Sequence, residues 1–334
     1  MSNNENYLCS ALDDATIKIW NVQEKNTDLL RLNACDMTSN TIPEVQTNAA
    51  IVSFGSDFKE DVQQLKSYSS IKHFNNLHQE PCMTTVRAHG GTVYGTCFTS
   101  KDDYLLSCSE DTTIRLWDIK DFTNKAIYNG HSYPVFSIAS SDFDLYFASG
   151  SYDCTAKLWT FDRTFPIRAF AGHQQPVQSI AFHSNVSYLA TADTSVRLWD
   201  ISSGKTVRLM TGHWAPVMCL SFSPNGRWLA SAGEDTRIRV WDIASGSLWK
   251  EMRGHAESVY GLQFSPDSSL LSSCGADSCV RVWNVKAPST VQTTAMDKAD
   301  NPHLVGEWTV DKFSSVLFTR LTANNLLKCI SVQI

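Results

Sequence analysis

No run of about 18 uninterrupted apolar residues occurs anywhere in the 334-residue sequence, so no membrane-spanning helix is expected. Basic runs are missing too, and the formal net charge is −6. A protein that displaces phosphate counterions needs a basic patch, so direct sequence-specific or non-specific nucleic-acid binding is not expected. The ten cysteines, at 9, 35, 82, 97, 108, 154, 219, 274, 279 and 329, contain no C-x-x-C pair. That spacing argues against a zinc or thiol-redox centre and for small buried thiols in a reducing compartment. The opening stretch "MSNNENYLCSALDDATIKIW" is polar and then alternating, unlike a signal or transit peptide. No phosphate loop, metal cluster or paired-carboxylate motif is present, so no cofactor, metal or small-molecule substrate is expected.

What the sequence does have is a repeat. Tryptophan recurs in "IRLWDI", "AKLWTF", "VRLWDI", "IRVWDI" and "VRVWNV", at Trp117, Trp159, Trp199, Trp241 and Trp283. The spacings are 42, 40, 42 and 42 residues. Histidine recurs upstream in "RAHGGTV", "NGHSYPV", "AGHQQPV", "TGHWAPV" and "RGHAESV", at His89, His131, His173, His213 and His255. Each lies 28 residues before its Trp, except His173, which lies 26 before Trp199.

Within one repeat the pattern is four short strands. "VMCLSF" alternates, "SPNG" breaks it, "WLASA" resumes, "GED" turns, "IRVWDI" follows, and "SLWKEM" comes after "ASG". Four strands in about 42 residues make one blade of a β-propeller.

An Asp and a Ser or Thr accompany every His–Trp pair, and Asp, His and Ser together suggest a catalytic triad. A hydrolase needs one such set. Here the set occurs about once per repeat, which points to structure instead. A buried Asp can hold His Nδ1–H, the His can reach a hydroxyl, and the hydroxyl can take the Trp indole proton.

These in-register signatures resemble the WD40 family over almost the whole chain. The resemblance implies an all-β, seven-bladed WD40 β-propeller with one structural tetrad per blade. Carried over residue by residue, the tetrads are His89, Ser107, Asp111 and Trp117; His131, Ser149, Asp153 and Trp159; His173, Thr191, Asp193 and Trp199; His213, Ser231, Asp235 and Trp241; His255, Ser273, Asp277 and Trp283. The fourth set departs from the pattern. "LATADTSVRLWD" lacks two residues in the turn between its second and third strands, which puts that tetrad's geometry in question.

A single propeller is expected over residues 1–334, incomplete where its ends meet. "NYLCSALDDATIKIWNV" supplies a second and third strand, with Asp14 and Trp20 in place and no first strand or Gly-His before them. "HLVGEWTV" reads as the outer strand of blade six, and "SSVLFTR" and "LLKCISV" as two strands of blade seven. Residues 23–83 form a long insertion in blade one. Phe58, Val62, Leu65 and Tyr68 lie there near helical spacing, which suits either a partner-binding helix or a mobile loop. Residues 286–302 form a polar loop insertion in blade six.

A narrower resemblance rests on "YLLSCSEDTTIRLWDIKDFTNKAIYNGHSYPV", "LYFASGSYDCTAKLWTFDRTFPIRAFAGH" and "FSPNGRWLASAGEDTRIRVWDIASG". These are similar to the propeller of the TBP-associated-factor-5 family, which has a TFIID form and a form specific to SAGA-type histone acetyltransferase complexes. "FTNKAIYNGHSYPV", "TFDRTFPIR" and "LLRLNACDM" are closer to the SAGA-type form. The resemblance implies a non-catalytic nuclear scaffold packing beside histone-fold and other core subunits of a coactivator. It also implies that helical domains belong ahead of the propeller; none is seen here, as in a fragment, a truncated isoform or an incomplete gene model. A remoter alternative is a substrate receptor of a cullin-type ubiquitin ligase. Those carry W-D-x-R, whereas this chain reads "WDIK", "WTFD", "WDIS", "WDIA" and "WNVK". An enzyme using the propeller axis as a pocket is a further alternative.

The resemblance also places partner contacts on one rim. The residue after the first-strand Val is Tyr94, Phe136, Gln178, Met218 or Tyr260. The residue before the turn Asp is Glu110, Tyr152, Ala192, Glu234 or Ala276. Trp214 belongs to the same set. Of these, Tyr94, Phe136, Tyr152, Met218, Trp214 and Tyr260 are the contact candidates, although the same side chains could merely line the central channel.

Overall fold

A computed structural model describes residues 7–21, 31–33, 46–53, 84–286, 303–309, 314–321 and 326–333. Every helix or strand among them is a β-strand. The fifth repeat shows how sequence becomes strand. "VMCLSF" forms β18 (Val217–Phe222), and "WLASA" opens β19 (Trp228–Gly233). β20 (Arg237–Asp242) carries the Trp-Asp pair, and β21 (Leu248–Arg253) ends the repeat.

The turn between second and third strands is built the same way in most repeats. Ala15, Thr112, Cys154, Thr236 and Ser278 each adopt a left-handed backbone, with φ between 59° and 68°. For an L-residue that costs roughly 1–2 kcal/mol. The preceding Asp offsets the cost by accepting the N–H two residues on: Thr16 to Asp14 at 3.0 Å, Thr113 to Asp111 at 3.0 Å, Thr155 to Asp153 at 2.9 Å.

The first sheet has three strands, β1 (Tyr7–Ala11), β2 (Thr16–Asn21) and β5 (Thr84–Arg87). β3 (Arg31–Asn33) and β4 (Gln46–Ser53) lie within the long insertion and belong to another sheet. The second sheet holds β6 (Val93–Phe98), β7 (Tyr104–Ser109), β8 (Ile114–Asp118) and β9 (Asn124–Tyr128). The third holds β10 (Val135–Ser140), β11 (Phe147–Ser151), β12 (Thr155–Trp159) and β13 (Arg168–Ala171). The fourth holds β14 (Ser179–Phe182), β15 (Tyr188–Ala192), β16 (Val196–Asp200) and β17 (Thr206–Met210). In the sixth are β22 (Val259–Phe264), β23 (Leu270–Gly275), β24 (Cys279–Asn284) and β25 (Leu304–Thr309). The ladders are antiparallel and follow chain order, blade by blade as a propeller requires.

The seventh sheet departs from that order. The C-terminal stretch itself supplies two strands, β26 (Ser314–Leu321) and β27 (Leu326–Gln333), as its sequence suggests. The sheet nonetheless has four, in the order β26-β27-β4-β3. β4 pairs along β27 from Leu326↔Ser53 to Val332↔Thr47. Inserted residues therefore occupy the two positions that the C-terminal stretch leaves open, because an eight-residue strand edge is a ready template for pairing. The helical spacing near 58–68 lies outside the described residues, as do residues 287–302.

The chain divides into two compact units. The first, Met1–Asn26 with Glu80–Leu220, contains the first four sheets. The second, Thr27–Gln79 with Ser221–Ile334, contains the sixth and seventh; the division falls within the fifth. In the first unit, three apolar layers fill successive spaces between sheets. Ile17, Ile19, Val93, Phe98, Leu105 and Trp117 form one layer. Leu106, Ile114, Tyr128, Val135, Phe147 and Trp159 form the next, and Leu158, Phe170, Val177, Leu189 and Trp199 the third. In the second unit, β22 contacts β19 on one side and β26 on the other.

Phe147 sits at the centre of the middle layer, parallel to Trp159 with centroids 5.9 Å apart and edge-on to Tyr128 at 4.8 Å. We expect Phe147→Ala to cost about 3–5 kcal/mol. Urea unfolding of the variant checks this; a change within error would show that the layer repacks freely.

Candidate functional site

In the second, third and sixth repeats the tetrad joins three elements: the loop before the first strand, the second strand and the third strand. In the second repeat His89 Nδ1 lies 3.0 Å from Asp111 Oδ2 and Nε2 lies 2.7 Å from Ser107 Oγ. Trp117 Nε1 donates to the same Ser107 oxygen at 2.9 Å. The third repeat repeats this through His131, with Asp153 at 2.7 Å and Ser149 at 2.7 Å, and Trp159 donates to Ser149 at 2.8 Å. The sixth does so through His255, with Asp277 at 3.0 Å, Ser273 at 2.7 Å, and Trp283 to Ser273 at 2.8 Å.

The proton order follows from the donors. The indole N–H can only donate and the carboxylate can only accept. Trp therefore donates to Ser, Ser to His Nε2, and His Nδ1–H to Asp. Ser107, Ser149 and Ser273 are fully buried. With the indole on the hydroxyl oxygen and no exposed surface, none of the three can meet a substrate carbonyl.

The fourth repeat keeps only part of the relay. His173 Nε2 lies 2.6 Å from Thr191 Oγ1, and Trp199 donates to that oxygen at 2.7 Å. His173 Nδ1 stands 3.0 Å from Asp193 but is not aligned to share its proton. Asp193 accepts from Ser195 N at 2.6 Å and Ser195 Oγ at 2.8 Å, as Asp111 and Asp153 accept from Thr113 and Thr155. The turn from Thr191 to Asp193 is two residues shorter than in the sister repeats. In the fifth repeat, Trp241 donates to Ser231 at 2.8 Å within the second unit, and His213 is buried in the first.

A basic residue not singled out by the sequence reading extends two of the relays. Arg281 donates to Asp277 at 2.7 Å and to Glu307 at 2.5 Å. Arg239 lies 2.7 Å from Asp235 and 3.2 Å from Glu251. Its signal was available: Lys18, Arg115, Lys157, Arg197, Arg239 and Arg281 all stand two residues before the Trp. Burial alone would raise the carboxyls of Asp111, Asp153 and Asp277, but hydrogen bonds from the paired histidines hold them well below the usual range. Burial pushes His131 down despite its Asp partner.

The contact candidates fall into separate groups. Tyr94 packs edge-on against Phe136 with centroids 5.0 Å apart, and Phe136 edge-on against Tyr152 at 6.0 Å. Tyr133, which the sequence reading passed over, adds a fourth ring 6.0 Å from Tyr152. Tyr94, Tyr152 and Tyr133 are 43%, 52% and 54% exposed. Burial, then Glu110 and Asp13, raise the Tyr94 phenol, which places two carboxylates beside the cluster. Trp214 is exposed and Met218 half-buried in the first unit, while Tyr260 is exposed in the second.

The family described as "WD domain, G-beta repeat" matches residues 1–21, 80–118, 122–160, 164–200, 204–242 and 246–284. "TAF5-like RNA polymerase II p300/CBP-associated factor-associated factor 65 kDa subunit 5L" of Mus musculus is 44% identical over 137 residues, covering 38% of this chain and 18% of that protein. The Homo sapiens protein of the same name is 40% identical over 129 residues, covering 36% and 17%. "Transcription initiation factor TFIID subunit 5" of Encephalitozoon cuniculi is 36% identical over 86 residues, covering 24% and 16%. The chain thus spans less than a fifth of the length of these relatives.

Two outcomes follow from the relays. Ser149→Ala leaves both His131 Nε2 and Trp159 Nε1 buried without a partner, so we expect a loss of about 2–4 kcal/mol; an unchanged urea midpoint would contradict it. Stability should also fall with pH in two steps. The depressed His131 holds its contribution above an unfolded-state value of about 6.5 and loses it as pH drops through the folded value. The depressed aspartates begin to lose theirs below about pH 4. Melting temperature against pH shows both, and His131→Gln should shrink the first.

Proposed function

Because the chain belongs to the WD domain, G-beta repeat family, we propose that it works by holding other proteins and not by catalysis. Its setting, on this reading, is a SAGA-type transcription coactivator in the nucleus. It serves there as a scaffold subunit against which histone-fold subunits pack, supporting transcription by RNA polymerase II, and any enzymatic activity belongs to a partner. Two observations support the reading. The relatives at 44% and 40% identity carry names of p300/CBP-associated-factor-associated subunits. The relay serines are buried while the Tyr94–Phe136–Tyr152–Tyr133 cluster is open to solvent. That cluster is the observation that carries the proposal, since exposed aromatic rings have the composition of an interface centre and the carboxylates beside them that of its polar rim. TFIID membership is the second reading, and the 36%-identical relative favours it.

Affinity purification of the tagged chain from nuclear extract separates the readings. Acetyltransferase-complex subunits support the first, TFIID subunits the second, and a cullin adaptor or no transcription subunit overturns both. Changing Tyr94, Phe136 and Tyr152 together to Ser should weaken capture of histone-fold subunits at least tenfold, about 1.4 kcal/mol. The melting temperature should hold, because these rings lie outside the relays. Undiminished capture by the folded variant would place the interface elsewhere.

A further inference from the structure

A cavity of about 530 Å³ opens between the third and fourth sheets, inside the first compact unit. Ligand sites typically measure roughly 300–1,000 Å³. Leu158, Ile167, Val186 and Ile201 give it apolar walls, and Arg168 and Asp200 are its charged residues. Ile167, Val186 and Ile201 lie where a first strand joins a second or a third joins a fourth. Tyr152 lies where a second strand joins a third. The cavity is therefore at the opposite end of the third sheet from the aromatic cluster.

Its wall departs from the sister repeats in three ways. Val186 has a left-handed backbone, with φ 58°. The same turn position holds Asp102, Asp144, Gly226 and Ser268, so Val186 is the only β-branched residue there. That backbone is an outlier for such a side chain, and strain of this kind gathers at binding sites. Second, Arg168 is fixed in place but has no ion pair. Its Nη2 donates to Ser202 O at 2.9 Å. Gly204, with φ 72°, leaves the guanidinium room, since a Cβ there would stand 2.6 Å from Nη1. Arg115, Arg239 and Arg281 each meet an aspartate, whereas no carboxylate pairs with Arg168 among the described residues. Asp200 does not serve, because its oxygens accept from the N–H and hydroxyl groups of Ser202 and Ser203. Third, Arg168 opens β13, the edge strand of its sheet. Ala169 is exposed there, at the place that Ile127 and Leu209 fill in β9 and β17.

We propose that this cavity binds an extended acidic–apolar segment of a partner polypeptide, with one large apolar side chain beside an Asp or Glu. The apolar side chain enters against Leu158, Ile167, Val186 and Ile201. The carboxylate accepts from the N–H groups of Arg168 that Ser202 leaves open, a pairing that the planar guanidinium favours. The strained valine then has a use, since it gives the cavity an apolar wall where Asp, Gly or Ser would not. A polypeptide fits better than a small carboxylate because the cavity opens beside a bare sheet edge. The segment's backbone can lie along β13 while its anchor side chain fills the cavity.

The test pans a phage-displayed library of random peptides against the full chain. Enriched peptides should carry an acidic residue beside a large apolar one. The most enriched peptide is then labelled and titrated by fluorescence anisotropy. Changing its acid to the matching amide should weaken binding at least tenfold. Arg168→Gln in the chain should do the same, and should erase the difference between the acid and amide peptides. Ser187→Trp, which fills the cavity from an exposed position in its wall, should abolish binding. Val186→Gly should weaken binding while the melting temperature holds or rises, because glycine relieves the left-handed backbone. Circular dichroism verifies that each variant is folded. No enrichment of acidic–apolar peptides, full binding by folded Arg168→Gln or Ser187→Trp, or a lower melting temperature with intact binding in Val186→Gly would overturn the proposal.

Discussion

One hydroxyl oxygen per repeat holds together three pieces of chain that are distant in sequence. Ser107 lies 18 residues from His89 and 10 from Trp117, and it bonds both. Neither partner can be satisfied by water, because the site is buried, so the second strand, third strand and preceding loop must arrive together. The apolar layers then follow. With the indole pinned, the residue across the ladder from each Trp is Leu105, Phe147, Leu189, Leu229 or Leu271, always large and apolar. Gly130 and Gly254, just before their histidines, leave room for the rings. A Cβ at either would stand 2.9 Å from the Trp Cη2. The Gly-His and Trp-Asp signatures are therefore two ends of a single packing constraint.

The basic residue two positions before each Trp, Lys or Arg, shows how one motif tolerates drift. In the sixth repeat Arg281 bridges Asp277 and Glu307. At the second repeat Arg115 lies 3.8 Å from Asp111, a looser pairing on a more open side chain. The histidine relay is close to constant across these repeats while the guanidinium is free to choose partners. A long, flexible cation can reach several acceptors, whereas an imidazole between two fixed groups cannot.

Much of this architecture was legible in the residues. Period-two alternation and turn residues located the strands of the repeats, because both are local signals. The shorter turn at 191–193 was legible too, and there His173 Nδ1 stands 3.0 Å from Asp193 without an aligned hydrogen bond. β3 and β4 were not legible. Three residues such as "RLN" carry no period, and their place beside β27 depends on an edge more than 270 residues away. The aromatic cluster was legible in part. Tyr94, Phe136 and Tyr152 share repeat positions, but Tyr133 joins through a loop, and nothing local to "SYPV" shows which ring it meets. Arg239 and Arg281 were visible as a repeated basic position, yet their role emerged only once the outer-strand glutamates came alongside.

A protein assembled from near-identical sheets presents any partner with a problem of address. Equivalent residues recur every 40 or 42 positions, so a surface that fits one sheet comes close to fitting the next. The contracted turn before Val196 breaks this equivalence. It removes the left-handed residue that the other turns carry at Thr112, Cys154, Thr236 and Ser278. The fourth sheet's turn is therefore the one whose backbone differs from the rest, so a surface shaped to its neighbours' turns does not fit it.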